Sequence, residues 1–583
     1  MSYLDRPRLT FFGQFTANPS TINNLPANYR EPLPYVQGSS APGAIFWNPY
    51  GSHNFSIDNC AVTGLVMDGD PGPVQGMVST AQAGVLVDLD TQQQLVSQII
   101  GMKLAVTVGD GSVTGTFAIV PFVDINFSRV QGTNFNANGD GAAGAAYQSV
   151  LTDLTWKVGS SPFLAALKKA SPRMLSIRMN VDAHHGTIND PRFTTGRVAG
   201  TIGPYLRGEP LTFTNARFLR PLSTAYSIGG WNTVPAKLDA KRKILTVDLG
   251  NSTPWTWNGY TLEPTSSVLS VQVAALTFPK GSTVASGIAT IGPADNPTPV
   301  VLPQRVDTSD QAYWTNAFVQ ELAVPDAFLK VIASNPLGII ACGSIVITEN
   351  PTGAYVNAEP YVFRLNPDET GEVTLWANIF QKPAASARIP LNPTTAQFVQ
   401  EGGPKMATPP HGCKFPSSVT TDAHGKATFT IKAGRIKSPR KSIPGQIYGI
   451  GWNWALDVIP DSWDFISVKV FGVTAVPANP TWWGDVYPIL AQYAYLYPAM
   501  QQIFRLDNYK DVVEHATRII ARLDLPDGSP GQMPITRELS ANQKAILVKW
   551  AQNPKHPRGV PPKPLPRPFP WPPEPTPQPM EPR

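Results

Sequence analysis

The sequence predicts a mainly β protein: a multi-layer β-sandwich or barrel body with an immunoglobulin-like module, a small C-terminal helical subdomain and a proline-rich tail. Three observations carry this. Charged residues make up 15% of the 583, against roughly 25% in ordinary soluble chains. Gly (47) and Pro (60) are abundant beside 14 Trp, 17 Tyr and 25 Phe, a composition of short strands separated by turns. Hydrophobic periodicity changes from two to 3.6 only after residue 480. The same numbers exclude a coiled coil and a helical bundle, and 42% hydrophobic content excludes wholesale disorder.

Residues 1–205 read as a first β-rich domain. Leu9–Phe15, Ala61–Met67, Gly84–Asp90, Leu104–Val108 and Val113–Phe122 are β-branched or aromatic runs punctuated by Gly, Asn, Asp or Pro. In Met174–Val181, Leu175, Ile177 and Met179 face away from Arg178 and Asn180. Pro162–Ala170 is a candidate short helix. Residues 206–375 continue the pattern as a second β-rich domain, with strands expected at Lys243–Gly250, Val268–Phe278, Val284–Ile291, Gly338–Thr348 and Tyr355–Leu365. Gln311–Leu322 fits either a helix or a strand. Residues 376–480 read as an immunoglobulin-like sandwich: a turn at Ala423–Gly425 leads into a strand with Ala427, Phe429 and Ile431 on one face, and Phe465–Phe471 supplies another.

Residues 481–553 form the helical cap. Val512, Val513, Ala516, Ile519, Ile520 and Leu523 fall on one stripe of a helix over Asn508–Leu523. Ser540 with Gln543 makes a capping box that opens a last helix, with Ile546, Leu547 and Trp550 facing inward. Tyr487–Tyr497 also reads as helical. Residues 554–583 hold 14 Pro, a polyproline-II tail that needs a surface to lie on.

Net charge is +5, dilute for this length. The densest basic cluster, Lys432, Arg435, Lys437, Arg440 and Lys441, lacks the long aromatic-interleaved stripe of a nucleic-acid groove, so no nucleic-acid partner is expected. No run approaches 18 apolar residues and the N-terminus lacks an apolar leader core, so the sequence predicts no membrane span and a cytoplasmic protein. Three cysteines, Cys60, Cys342 and Cys413, exclude a disulfide framework.

Candidate ligand-binding residues are few. Asp182-Ala183-His184-His185 holds the adjacent histidines. Neighbours on a strand face opposite ways, so the pair does not read as a shared metal site, and a polar turn closing the strand explains it as well. His411-Gly412-Cys413 places a thiol near an imidazole, and a plain loop cysteine is the other reading. Trp463 lies among Asp457, Asp461 and Asp464, a setting for a cation or sugar, or simply a turn. Five Trp fall between Trp452 and Trp483, the mark of a core or domain seam as much as of a ligand platform. His424 and His515 read as a turn and a helix-surface residue. The Gly-rich stretch Gly139–Gly144 reads as a loop. The sequence has no G-x-S-x-G, H-E-x-x-H, P-loop or C-x-x-C motif, and no metal site is predicted.

Several blocks stand out together. They are Leu4-Asp5-Arg6-Pro7-Arg8 with Phe11 and Gly13; Trp47-Asn48-Pro49-Tyr50-Gly51 leading to Asn54-Phe55; Gly200–Pro204 with Arg207-Gly208-Glu209 and Arg220-Pro221; Tyr313-Trp314-Thr315-Asn316; and Tyr497-Pro498 with Met500, then Met533-Pro534-Ile535-Thr536-Arg537-Glu538-Leu539-Ser540. In order across about residues 4–550, they resemble the N-terminal, non-ferritin portion of the iminophenylpyruvate-dimer (chromopyrrolate-type) synthases of violacein and rebeccamycin biosynthesis. That family continues into a ferritin-like domain to which the oxidative coupling is assigned. Here a Pro-rich tail follows, and no Glu-x-x-His pair of the di-iron kind is present. The resemblance therefore implies a fold and a pathway context, with no catalytic residue and no cofactor carried over. The expected function is a stand-alone binding or accessory protein for a small aromatic amino-acid-derived ligand or a partner enzyme. Two alternatives are a homo-oligomer assembled through residues 554–583 and a secondary-metabolism enzyme with a non-motif site, for which the family's pathways make a haem link one option.

Overall fold

The computed structural model describes residues 2–18, 52–88, 97–121, 123–126, 130–131, 144–185, 191–222, 231–252, 255–257, 262–264, 270–278, 297–310, 313, 316–394, 412–437, 445–457, 465–496, 500, 503–534 and 539–566. It is mainly β. Among the described residues no helix is long and apolar enough to cross a membrane.

The first module is a closed barrel. Strands Arg8–Ala17, Thr195–Pro204, Leu175–Asp182, Gly144–Lys157, Gly111–Phe117, Lys103–Val108, Gly76–Gln82 and Asn54–Val66 pair antiparallel in that order, and the last pairs back onto the first. Alternation sends Leu9, Phe11, Leu175, Ile177 and Met179 into a fully buried interior. Close approach between neighbouring strands fixes two glycines. A methyl on Gly200 would stand 2.2 Å from the Phe11 ring, and one on Gly13 2.6 Å from the Cys60 backbone. Helix Pro162–Ala170 forms as expected, capped by Ser161.

The second module is an eight-stranded antiparallel sheet ordered Thr298–Asp307, Ser270–Thr277, Leu337–Ala341, Ser344–Glu349, Arg217–Pro221, Val234–Asp239, Ile244–Asp248, Val319–Ala323. Its two edges meet where the Ala323 amide donates to Gln304 Oε1 (3.2 Å). The ambiguous Gln311–Leu322 segment ends in the strand Val319–Ala323, reached through consecutive left-handed residues Ala317 and Phe318 (φ 51° and 66°). Helix Asp326–Ser334 packs Phe328, Leu329 and Ile332 on the same core.

Part of the outer face of the first barrel is buried against the second module, and there the strand Leu175–Asp182 is covered on both sides. Arg178 (3% exposed) meets Asp248 (1%) at 3.0 Å, and the Tyr3 hydroxyl donates to the same carboxylate (2.7 Å). Arg6 and Arg8 converge on Glu321, and Lys237 reaches Asp5 (2.6 Å). Tyr3, Leu4, Ala216 and Val319 close the seam with apolar contact.

The third module is a sandwich of two five-stranded sheets around one core. One sheet runs Ala354–Glu359, Thr370–Ile379, Lys426–Ala433 and Cys413–Lys414, with Lys382–Pro383 at its side. The other runs Val362–Leu365, Phe465–Val470, Gln446–Trp452, Arg388–Thr394 and Ser418–Thr420. A boundary at residue 376 would cut the strand Thr370–Ile379; residues 354–375 hydrogen-bond into the sandwich.

Trp482–Val486, Tyr487–Leu496, Tyr509–Glu514, Ala516–Leu523 and Ala541–Ala551 build the cap around Trp482, Val512, Leu523, Leu547 and Trp550. The single helix expected over Asn508–Leu523 is broken at His515, which ends one helix and starts the next. Its Nδ1 lies 2.9 Å from the Asp511 carbonyl, and its ring stacks on Phe504 at 4.4 Å. The Ser540–Gln543 capping box is present.

The tail begins on its own cap. The Pro557 carbonyl accepts from Trp482 N (2.8 Å) and Trp550 Nε1 (3.1 Å), the Arg558 carbonyl from Trp483 N (3.0 Å), and the His556 carbonyl from the Tyr509 hydroxyl (2.7 Å). The Arg558 guanidinium lies 4.3 Å from the Tyr509 ring centre. Beyond this root, Val560 (88%) and Leu565 (61%) are exposed.

Candidate functional site

The residues singled out from sequence do not gather at one place. Asp182 is 4% exposed and directly opposite Arg197 in the strand register. Their bidentate pair, at 2.7 and 2.8 Å, engages both carboxylate oxygens. The chain leaves the strand at Ala183 (φ 55°). His184 Nε2 lies 3.1 Å from the Ala17 carbonyl, and its ring stacks on Phe15 at 6.0 Å. The His185 backbone pairs with Thr194 and Thr195. Asp182 ends its strand, and His184 and His185 follow it at the same end of the barrel.

Cys413 is buried, and burial pushes its thiol up to about 12, the reverse of an activated nucleophile. His411, Trp463, Asp461, Asp464 and Gly139–Ala143 lie outside the described residues. The tryptophans divide, with Trp452 and Trp454 in the sandwich and Trp482 and Trp483 in the cap. Among the described residues no three His, Cys, Asp or Glu side chains converge to hold a metal ion.

Chemistry converges instead on the outer face of the sandwich. Ala354, Val356, Ala358, Val373, Leu375, Ala377 and Phe429 belong to its core, and Ala427 is buried beside them in the strand. Alternation therefore turns Asn357, Glu359, Thr374, Trp376, Lys426 and Thr428 to the other side. The register sets them in two rows across three strands: Glu359–Thr374–Thr428 and Asn357–Trp376–Lys426. Thr374 and Thr428 hydroxyls pair at 3.0 Å. Lys426 Nζ sits 4.0 Å from the Trp376 ring centre, a cation–π contact, and Phe213 meets that ring edge-on at 6.0 Å.

The connector 205–216, which joins the first two modules, roofs this face. Glu359 Oε1 accepts from Leu211 N (2.7 Å), Thr212 N (2.7 Å) and the Thr212 hydroxyl (3.0 Å). Among the described residues no donor falls on Oε2. Lys426 Nζ donates to the Gly208 carbonyl (2.8 Å), and the Tyr205 hydroxyl donates to the Glu209 carbonyl (2.7 Å). Burial pushes the Glu359 carboxyl above the usual carboxylate range, against the pull of its three donors and Lys426. Burial, then Glu359 and Glu209, raises the Tyr205 phenol. Trp376 is 8% exposed, and its indole N–H is buried without an acceptor.

The face thus offers a cation, a carboxyl oxygen open to a donor, an unmatched N–H and an indole within two strand rows. Perturbed groups converging at a junction are what a small-ligand site needs. Sequence reasoning missed it because Glu359, Trp376 and Lys426 are far apart in the chain and meet only through strand register. The local signal was Arg207-Gly208-Glu209, singled out in the connector.

No family model matches the chain, and no curated protein does. Among solved structures, Escherichia coli alpha-2-macroglobulin activated by porcine elastase aligns at 8% identity with a TM-score of 0.13, over 80% of this chain and 41% of that one. The chain spans about two fifths of that structure's length, and a similarity this low carries no argument about fold or function.

Proposed function

We propose that the chain is a cytoplasmic binding or accessory protein. In this reading it is built like the non-catalytic part of the bisindole-pathway dimer synthases, with an immunoglobulin-like sandwich, and it holds an aromatic amino-acid-derived molecule or presents it to a partner enzyme. The observation that supports this is the Trp376–Lys426–Glu359 face. Lys426 suits a carboxylate, Glu359 Oε2 suits an amine or imine N–H, and the Trp376 indole suits an aromatic ring. Calorimetric titration with indole-3-acetate, and with indole as the carboxylate-free control, tests it. Saturable binding that weakens at least tenfold in Lys426→Met is expected; absence of binding to either compound sinks the reading.

A second reading is self-assembly through the tail. It is favoured by Val560 and Leu565 standing exposed on a Pro-rich segment whose root is fixed to the cap, an arrangement suited to docking in a neighbour's groove. Removing residues 567–583 and measuring the mass in solution decides it, an unchanged assembly state counting against the tail.

A further inference from the structure

The geometry points to residues 205–212 as a lid over the Trp376 face, in which the Gly208 carbonyl occupies the position on Lys426 that a ligand's carboxylate takes. This deepens the binding reading above and rests on it. The lid has no regular secondary structure, and Leu206, Arg207 and Gly208 are exposed at its crest. Its hydrogen bonds to the described residues of the sandwich include those of Lys426, which donates to the Gly208 carbonyl, and of Glu359, whose Oε1 collects Leu211 N, Thr212 N and the Thr212 hydroxyl.

A backbone carbonyl is a neutral acceptor. A carboxylate is a stronger partner for an ammonium group, because charge-assisted hydrogen bonds are roughly twice as strong as neutral ones. The Gly208 carbonyl is therefore a displaceable occupant. Gly208 can present it because its φ of +87° lies in the left-handed region, which a residue with a Cβ adopts only under strain. A methyl there would meet only Lys426 Nζ, at 3.9 Å, so an alanine strains the backbone without a clash. Beneath the lid the Trp376 N–H lacks an acceptor, and an anion bound at Lys426 brings one. The ligand class is a small aromatic carboxylate whose ring lies against the indole once the lid lifts.

The test compares the intact chain with its Gly208→Ala variant. Two measurements are made on each: hydrogen exchange of the 206–213 backbone, which contains the two amides latched by Glu359, and affinity for indole-3-acetate. A competing lid predicts that Gly208→Ala speeds exchange there roughly tenfold and tightens indole-3-acetate binding by a similar factor. Saturating indole-3-acetate should also speed exchange of the same segment in the intact chain. Binding with equal constants in both chains, and exchange unmoved by ligand, overturns the lid and leaves the binding site standing. Absence of binding in both chains overturns the site and the lid together. Lys426→Met gives an independent check: it should bring the affinities for indole-3-acetate and indole close to each other, and a preserved carboxylate preference places the anion elsewhere and overturns the inference.

Discussion

Single side chains show which sequence signals were structural. Gly200 lies in one of the blocks that prompted the family resemblance, and the Phe11 ring occupies the space a side chain there would need. Gly200→Ala should therefore cost about 1–3 kcal/mol through overpacking, seen as a lower urea midpoint. Adding Phe11→Leu should return part of that loss; a double variant as weak as the sum of the two singles would refute the contact. His53 was not singled out from sequence, yet burial holds its imidazole at about 4, below the ordinary value of 6.5. A histidine kept neutral by burial contributes stability that is complete above the unfolded value and is lost as pH falls from about 6.5 through 4. The difference amounts to about 3 kcal/mol. Denaturant midpoints across that window should slope less steeply in His53→Gln than in the natural chain.

Strands and helices were legible where the pattern was local. The helix Pro162–Ala170, the strand carrying Ala427, Phe429 and Ile431, and the Ser540 capping box each follow from a few neighbouring residues. The strand Leu175–Asp182 was legible on one face only. Its polar face looks solvent-exposed in sequence, but in the fold Arg178 is buried on Asp248, a residue of another module that no short window contains. The candidate site was hidden for the same reason: its three strands contribute Glu359, Trp376 and Lys426 through the pairings Glu359–Thr374, 15 residues apart, and Trp376–Lys426, 50 residues apart. Removing one member of the seam tests it. Arg178→Met leaves a buried carboxylate with Tyr3 as its remaining hydroxyl donor, and should cost about 3–5 kcal/mol. Pairing it with Asp248→Asn should recover much of that in thermal unfolding. Equal loss in the single and double variants would show that the ion pair is not what holds the seam.

In the whole molecule the modules contact one another in a circuit. The first barrel meets the second module at the Arg178–Asp248 seam. The second meets the sandwich where Arg220 and Asn350 share Asp457 (3.1 and 2.8 Å). The sandwich meets the cap where Ala541 N donates to Asn366 (2.9 Å), and the cap returns to the first barrel through Ile100. The tail root is part of this body. Removing residues 554–583 should lower the cap's thermal stability below that of a chain cut after residue 566, because four hydrogen bonds from Trp482, Trp483, Trp550 and Tyr509 lose their acceptors. Equal midpoints for both truncations would contradict the docked root. The central claim is that the connector-roofed face of the sandwich binds a small aromatic carboxylate. The most direct measurement is a calorimetric titration of the intact chain with indole-3-acetate, run beside Lys426→Met. The account predicts one saturable site per chain that is lost or at least tenfold weaker in the variant; no saturable heat in the intact chain, or the same affinity in both, would contradict it.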